Sequence, residues 1–284
     1  MKVRTIRVTR ALLRKWPLPD PTYSRSKEDR GRVLIVGGSR ETPGAVQLAG
    51  VAALRAGAGK LQIACGSDVA VPLAIAMPEA KVIGLVVDKR GQIETCNAEV
   101  LKAALHTDAL LVGPGMDDCR ATGRVAARLL RTTDATTILD AGALRAYGAR
   151  RTVGVIVTPH LGEMASITGM STNQLSRRAP EIARDFARAE KVTLVLKGSL
   201  TYIASADGRV WVHEGGSVGL GTSGSGDVLA GVIAGLAARG QRPEQAAVWG
   251  VWLHGKAGKT LAGRQGLVGF LAREIPGEIP AFLR

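Results

Sequence analysis

Residues 219–231, GLGTSGSGDVLAG, bring glycines, hydroxyls and one acid together at spacings that suit two different chemistries. Gly219-Leu220-Gly221-Thr222-Ser223-Gly224 spells G-x-G-x-x-G, which cradles a dinucleotide pyrophosphate when a strand runs into its first glycine. Here the preceding apolar run ends near His213 and EGGSV intervenes, so the fingerprint lacks its strand. VLIVGGSRETPG at 33–44 does follow a strand but lacks the glycine spacing. The second frame, Gly224-Ser225-Gly226-Asp227, runs into Val228, Leu229, Val232, Ile233 and Leu236, which keep helical period. Ser225, Gly226 and Asp227 then open a helix, where free amides attract anions and glycines let a phosphate approach. An acid beside an anion hole is what hydroxyl activation for phosphoryl transfer requires. The same acid also serves as a plain complement to the helix dipole.

The elements that must position this turn alternate along the chain. A buried strand at Val33–Val36 meets a glycine turn, and a helix opens with Thr42 as N-cap and Pro43 at its first position. Strands follow at Leu61–Ala64, Val82–Val87, Ala109–Val112, Thr136–Leu139, Val153–Val157 and Val192–Leu196. Helices are expected near 97–105, 119–131, 160–168 and 175–189. A hairpin at 200–204 and 209–213 turns on Ala206-Asp207-Gly208, and helices at 225–239 and 243–262 close the fold. Continuously apolar strands alternating with helices predict an α/β fold with a mainly parallel sheet covered on both faces, and the late hairpin predicts an antiparallel edge. Residues 1–30 read as a basic, irregular lead-in and 31–284 as a single domain.

Composition narrows the function classes. Of 284 residues, 46% are hydrophobic, enough for a large core, while only 4% are aromatic, too few for a platform that stacks bases. The net charge is +14, and residues 1–32 supply half of it. No basic cluster is interleaved with aromatics and no helix is read as carrying a basic face, so polyanionic small molecules are favoured over nucleic acid as partners. Cys65, Cys96 and Cys119 are isolated and odd in number, which points to a reducing, cytoplasmic setting. The first residues lack the apolar core of a signal peptide, and no stretch reads as a membrane span.

Six motifs in order resemble the ribokinase-like superfamily and, within it, the ADP- or ATP-dependent NAD(P)H-hydrate dehydratases. They are GGSRETPGAVQLAGVAALRAGAG (37–59), VGPGM (112–116), ILDAGAL (138–144), VTPHLGEM (157–164), VLKGSLTYIA (195–204) and GLGTSGSGDVLAG (219–231), with LHGKAG (253–258) after them. The resemblance covers about 30–284 and implies a three-layer α/β/α sandwich. It also implies a repair reaction, in which a nucleotide phosphate turns the 6-hydroxyl of hydrated NADH or NADPH into a leaving group and elimination restores the dinucleotide. Carried over by motif, Asp227 is the base at the substrate hydroxyl and Gly224, Ser225 and Gly226 form the anion hole, with Gly226 also at the nucleotide. Ala45, Gly115 and His160 contact the hydrate; Lys197, Gly198, Ser199, Leu200 and Thr201 form the nucleotide loop. Glu163 matches the acid that organises Mg2+ and water, with ADP or ATP as co-substrate. The family commonly forms tetramers, and its epimerase partner domain has no room in this chain, so a separate epimerase is expected.

Three departures stand out. The second acid of a DADAL-like motif is Gly142 here, leaving Asp140 alone; the glycine loop reads GTSGSGD rather than ATGGTGD; and GNPG becomes Gly216-Ser217-Val218-Gly219. Without the resemblance, His160, Glu163 and Lys197 read equally as polar helix-start and strand-end residues, and His254 as structural. His106 and His213 lack a catalytic partner in the sequence. Two other readings remain: a ribokinase-like kinase of a vitamin precursor, and a catalytically silent nucleotide-binding protein.

Overall fold

The computed structural model describes residues 3–149 and 154–283. In chain order it contains β1 (Thr5–Arg7), α1 (Arg10–Leu13), β2 (Arg32–Val36), α2 (Gly44–Arg55), β3 (Lys60–Gly66), α3 (Ala70–Ala76) and β4 (Ala80–Leu85). There follow α4 (Ala98–Leu105), β5 (Ala109–Val112), α5 (Arg120–Thr132), β6 (Thr136–Leu139), β7 (Val155–Val157), α6 (Leu161–Thr168), α7 (Thr172–Arg177) and α8 (Ala179–Glu190). The last elements are β8 (Thr193–Leu196), β9 (Thr201–Ala204), β10 (Val210–His213), α9 (Ser225–Ala238), α10 (Pro243–Gln265) and α11 (Ile275–Glu278). The strands form one ten-stranded sheet in the order β1-β10-β9-β8-β7-β6-β5-β2-β3-β4. Only β9 runs antiparallel to its neighbours.

Period-two alternation builds a core on each face. In β2, Val33 and Ile35 join a cluster with Val228, Val232 and Leu253, whereas Leu34 and Val36 join Val125, Leu129 and Met164 on the other side. The first core is packed by α2, α9 and α10, the second by α4 to α8. α9 is buried nearly all round. A Cβ at Gly231 or Gly235 would come within 2.1 Å of the Ala49 carbonyl or 2.4 Å of the Ala53 carbonyl. These glycines let the α9 and α2 backbones touch, which is their use here rather than association in a membrane. No helix among the described residues is long and apolar enough to cross one.

Four local readings change. The lead-in is not all irregular: Thr5–Arg7 pairs in parallel with β10, and buried Leu13 and the Trp16 ring, 5.7 Å from Trp211, tie the segment to the core. These two apolar anchors hold part of the segment that was expected to be irregular. Thr42 does not cap α2; its hydroxyl donates to the Gly115 carbonyl at 3.1 Å, and the helix starts at Gly44 after an uncapped Pro43. Helix 175–189 is two helices, because Ser171 caps α7 and a second start precedes Pro180. A basic helix face does exist: Arg120, Arg124, Arg128 and Arg131 are all exposed along α5. Val153, the expected start of β7, lies outside the described residues.

Candidate active site

Adjacent parallel strands end in register, so the residues that follow them fall in one row. Val36, Val112, Leu139 and Val157 lie in register across β2, β5, β6 and β7, and β8 continues the row. Just beyond them stand the Gly113-Pro114-Gly115 turn, Asp140, Thr158-Pro159-His160 and Lys197. This is the carboxyl edge of the sheet, where open α/β folds collect ligands. α9 begins in the same region, with Gly224 as its N-cap at φ +85°, a left-handed conformation that favours glycine.

The row is linked by charge. Asp140 is 3% exposed; its Oδ1 accepts from Thr158 Oγ1 at 2.6 Å and from Lys197 Nζ at 3.1 Å. Glu163 Oε2 lies 3.9 Å from the same ammonium. Burial alone would push the Lys197 ammonium down, but Asp140, Glu163 and Asp227 hold it above its usual value. Lys197 Nζ is 3.4 Å from where a Cβ on Gly226 would sit, so the cation stands at the first turn of α9. In Asp227, burial and then the Asp140 carboxylate push the carboxyl up to about 7, against the pull of Lys197. An acid that is half ionised at neutral pH suits proton abstraction there.

His160 caps α6. Its Nδ1 accepts from the Gly162 and Glu163 amides at 3.0 and 3.1 Å, and Glu163 Oε2 accepts from the His160 amide at 2.7 Å. With Nδ1 spent as an acceptor, the ring proton is assigned to Nε2, which makes the half-exposed ring a donor. Behind the α9 turn, His254 Nε2 lies 3.0 Å from Ser225 Oγ and 3.1 Å from the Ser225 carbonyl. Burial pushes this imidazole down to about 4, so it is neutral and holds Ser225 by hydrogen bonding alone. The Ser225 amide donates to the Thr222 carbonyl at 3.2 Å, so it is less available to an anion than its position suggests.

A cavity of about 680 Å³ opens beside His160, Lys197 and the first turn of α9; Asp140, Glu163, Gly224 and Asp227 stand outside its lining. Among the expected site residues it is lined by His160, Lys197, Gly198, Ser199, Thr201, Ser225 and Gly226. Leu200 is outside the lining and 42% exposed. Ala45 and Gly115 form a separate pair, with the Ala45 Cβ 3.0 Å from a Cβ placed on Gly115. One turn along α2, Leu48 Cδ1 comes within 2.5 Å of a Cβ placed on Gly224, so this pair borders the α9 turn from the other side. Asp140, Thr158 and His213 join the site without a role expected from the sequence. Asp140 had a usable signal: like Lys197, it is the polar residue directly after a buried parallel strand.

The Gly142 departure has a steric cause. A Cβ there would sit 2.3 Å from the Asp117 carbonyl oxygen and 2.5 Å from that of Met116. The 116–117 backbone has closed over the position where the second acid would stand. Gly142→Asp is therefore expected to lower stability by about 2–4 kcal/mol, a fall of roughly 5–15 °C in thermal melting, with no gain of activity.

A family model described as NAD(P)H-hydrate dehydratase matches residues 33–281. An ADP-dependent (S)-NAD(P)H-hydrate dehydratase of Xanthomonas campestris is 49% identical over 284 residues, covering 99% of this chain and 96% of that one. Among solved structures, the ADP/ATP-dependent NAD(P)H-hydrate dehydratase from Bacillus subtilis, co-crystallised with ATP and Mg2+, is 30% identical with a TM-score of 0.83, covering 99% of this chain and 98% of that one. A ribokinase-like superfamily protein from Enterococcus faecalis is 25% identical with a TM-score of 0.82, covering 100% and 97%.

Proposed function

This chain belongs to the NAD(P)H-hydrate dehydratase family, and we propose that it uses ADP to dehydrate the (S)-hydrate of NADH or NADPH, releasing AMP and phosphate. The observation that carries the reading is Asp227, a carboxyl held near neutrality in the first turn of α9 and facing the Lys197–Asp140 pair. Asp227 takes the proton of the 6-hydroxyl as that oxygen attacks the terminal phosphorus of ADP, and the phosphorus–oxygen bond to AMP breaks. Phosphate then leaves C6 with the bonding electrons, the ring-nitrogen lone pair drives it out, and loss of a C5 proton restores the ring double bond.

Of the expected anion hole, the Gly224 and Gly226 amides serve the transferring phosphoryl group, the Ser225 amide being held by the Thr222 carbonyl, and Lys197 balances the charge. Lys197, Gly198, Ser199 and Thr201 hold the nucleotide in the 680 Å³ cavity, with Leu200 contributing backbone only. His160, through its Nε2–H, and the Ala45–Gly115 pair hold the hydrate. Magnesium would arrive on the nucleotide phosphates, because no three His, Cys, Asp or Glu side chains converge as a metal site among the described residues. It would neutralise phosphate charge, and Glu163 is the carboxylate assigned to its waters. Hydration at C6 creates a stereocentre, so an epimerase would keep the S form supplied.

The expected assembly is a homotetramer in the cytoplasm, which light scattering on the purified chain would test. Cys65 and Cys96 fit that compartment as packing thiols, since burial pushes both up to about 11. The reaction itself is tested by incubating the protein with hydrated NADH and ADP, or ATP in a parallel arm, and following the return of dihydronicotinamide absorbance. Recovery without nucleotide dependence would overturn the reading, as would phosphorylation of a vitamin precursor with no recovery.

A further inference from the structure

A second cavity, of about 610 Å³, lies behind the nucleotide pocket and shares only His213 with it. Its other walls come from the end of β1 and the turn after it, Arg7 to Arg10, from Glu214 and Gly215, from Trp252, Lys256 and Lys259 on α10, and from the 281–282 segment. The charges do not balance. Glu214 is paired with Arg7, while Arg10, Lys256 and Lys259 have no carboxylate partner among the described residues. Lys256 instead rests 5.7 Å from the centre of the Trp252 ring. Lys256 and Lys259 are three residues apart on one helix, so they repel each other across the same face.

His213 sharpens the case. It is 8% exposed, and its Nε2 has no hydrogen-bond partner among the described residues. The ring is pressed between two glycines: a Cβ on Gly255 would lie 2.4 Å from Nε2, and one on Gly215 2.5 Å away. Burial first, and then Lys259 and Lys256, push the imidazole down to about 4, so the ring is neutral and adds no charge of its own to the cavity. Buried polar atoms without partners are costly and uncommon, and this one sits in the wall that the two cavities share.

We propose that this cavity is a second anion site, taking a small phosphorylated molecule with two or more negative charges on Arg10, Lys256 and Lys259, against the His213 wall. A singly charged anion would leave two of the three cations uncompensated, whereas a diphosphate group meets them together. The volume lies in the range of small-molecule pockets, so it holds a phosphorylated metabolite and not just the ion. The nucleotide phosphates are already accounted for by Lys197 and the α9 turn, so the two sites fill independently.

The test uses inorganic pyrophosphate as the probe and isothermal titration of the full chain already saturated with ADP. Pyrophosphate is expected to bind this complex, and the Lys256→Gln/Lys259→Gln double variant to weaken it at least tenfold. ADP affinity and turnover in that variant should stay unchanged. Arg10→Gln gives an independent weakening from a different element. The proposal is overturned if ADP displaces pyrophosphate, or if the double variant binds it undiminished. ADP binding is titrated first, so its failure would count against the proposed function and leave the second site to be judged from pyrophosphate binding without ADP.

Discussion

Asp227→Asn is expected to lower turnover of the hydrate by about 10³-fold or more while leaving ADP affinity within about twofold. Positioned general bases contribute typically 10²–10⁴-fold, and an amide of the same shape keeps the packing of the turn while abolishing proton uptake. Wild-type kcat/KM should rise with pH through an apparent value near 7, where half of the Asp227 carboxyl is ionised, and level off above it. Full activity in the variant, or a wild-type acidic limb near pH 4, would remove Asp227 as the base. Stability gives an independent readout with a definite sign. The folded value, about 7, lies above the ordinary 3.8, so the folded state holds this proton more tightly than the unfolded one. Stability is therefore lost as pH rises between those values, up to a few kcal/mol for a shift of this size. Asp227→Asn removes that loss. Its melting temperature should exceed wild type by several degrees at pH 8, and the gap should shrink steadily toward pH 4.

Much of this site was legible because its residues sit where local rules are strong. The Gly224–Asp227 frame opens a helix of clear period, whereas Lys197 and His160, a strand-end and a helix-start residue by themselves, are picked out by the family motifs around them. What escaped the sequence was what only tertiary register decides. Asp140 and Lys197 are 57 positions apart, and nothing in either segment says that β6 and β8 flank β7 and bring the two side chains within 3.1 Å. His213 lacks a catalytic partner in the sequence, and its Nε2 has no hydrogen-bond partner among the described residues; what the sequence could not supply was its place on the wall between two cavities. β1 does carry an alternating pattern, Thr5-Ile6-Arg7-Val8-Thr9, but three exposed residues at a sheet edge followed by prolines read more readily as a lead-in than as a strand. The α5 arginines were readable at intervals of four and three, but they were weighed as residues and not as a face.

Asp140→Asn and Lys197→Met are expected to move the acidic limb of the pH profile in opposite directions. Four charged groups face one another here: Asp227 on α9, Asp140 after β6, Lys197 after β8 and Glu163 on α6. Removing the Asp140 charge takes away a carboxylate that opposes ionisation of Asp227. It also frees Lys197 to lean toward Asp227, so both effects lower the limb below pH 7. The asparagine Oδ1 still accepts from Thr158, so the strand end should stay in place. Removing the Lys197 charge leaves Asp227 facing Asp140 and Glu163 uncompensated, and the limb should rise above 7. The size of the rate loss separates the two roles. Lys197 is expected to meet the transferring phosphoryl group, so Lys197→Met should cost about 10²–10³-fold in kcat even on the plateau. Asp140 acts through Lys197 as a positioning residue. Asp140→Asn should cost less on its own plateau, about tenfold, because the ammonium remains present but is no longer anchored. If the two variants shift the limb the same way, or neither shifts it, Asp227 does not titrate against this pair. The limb would then belong to another group.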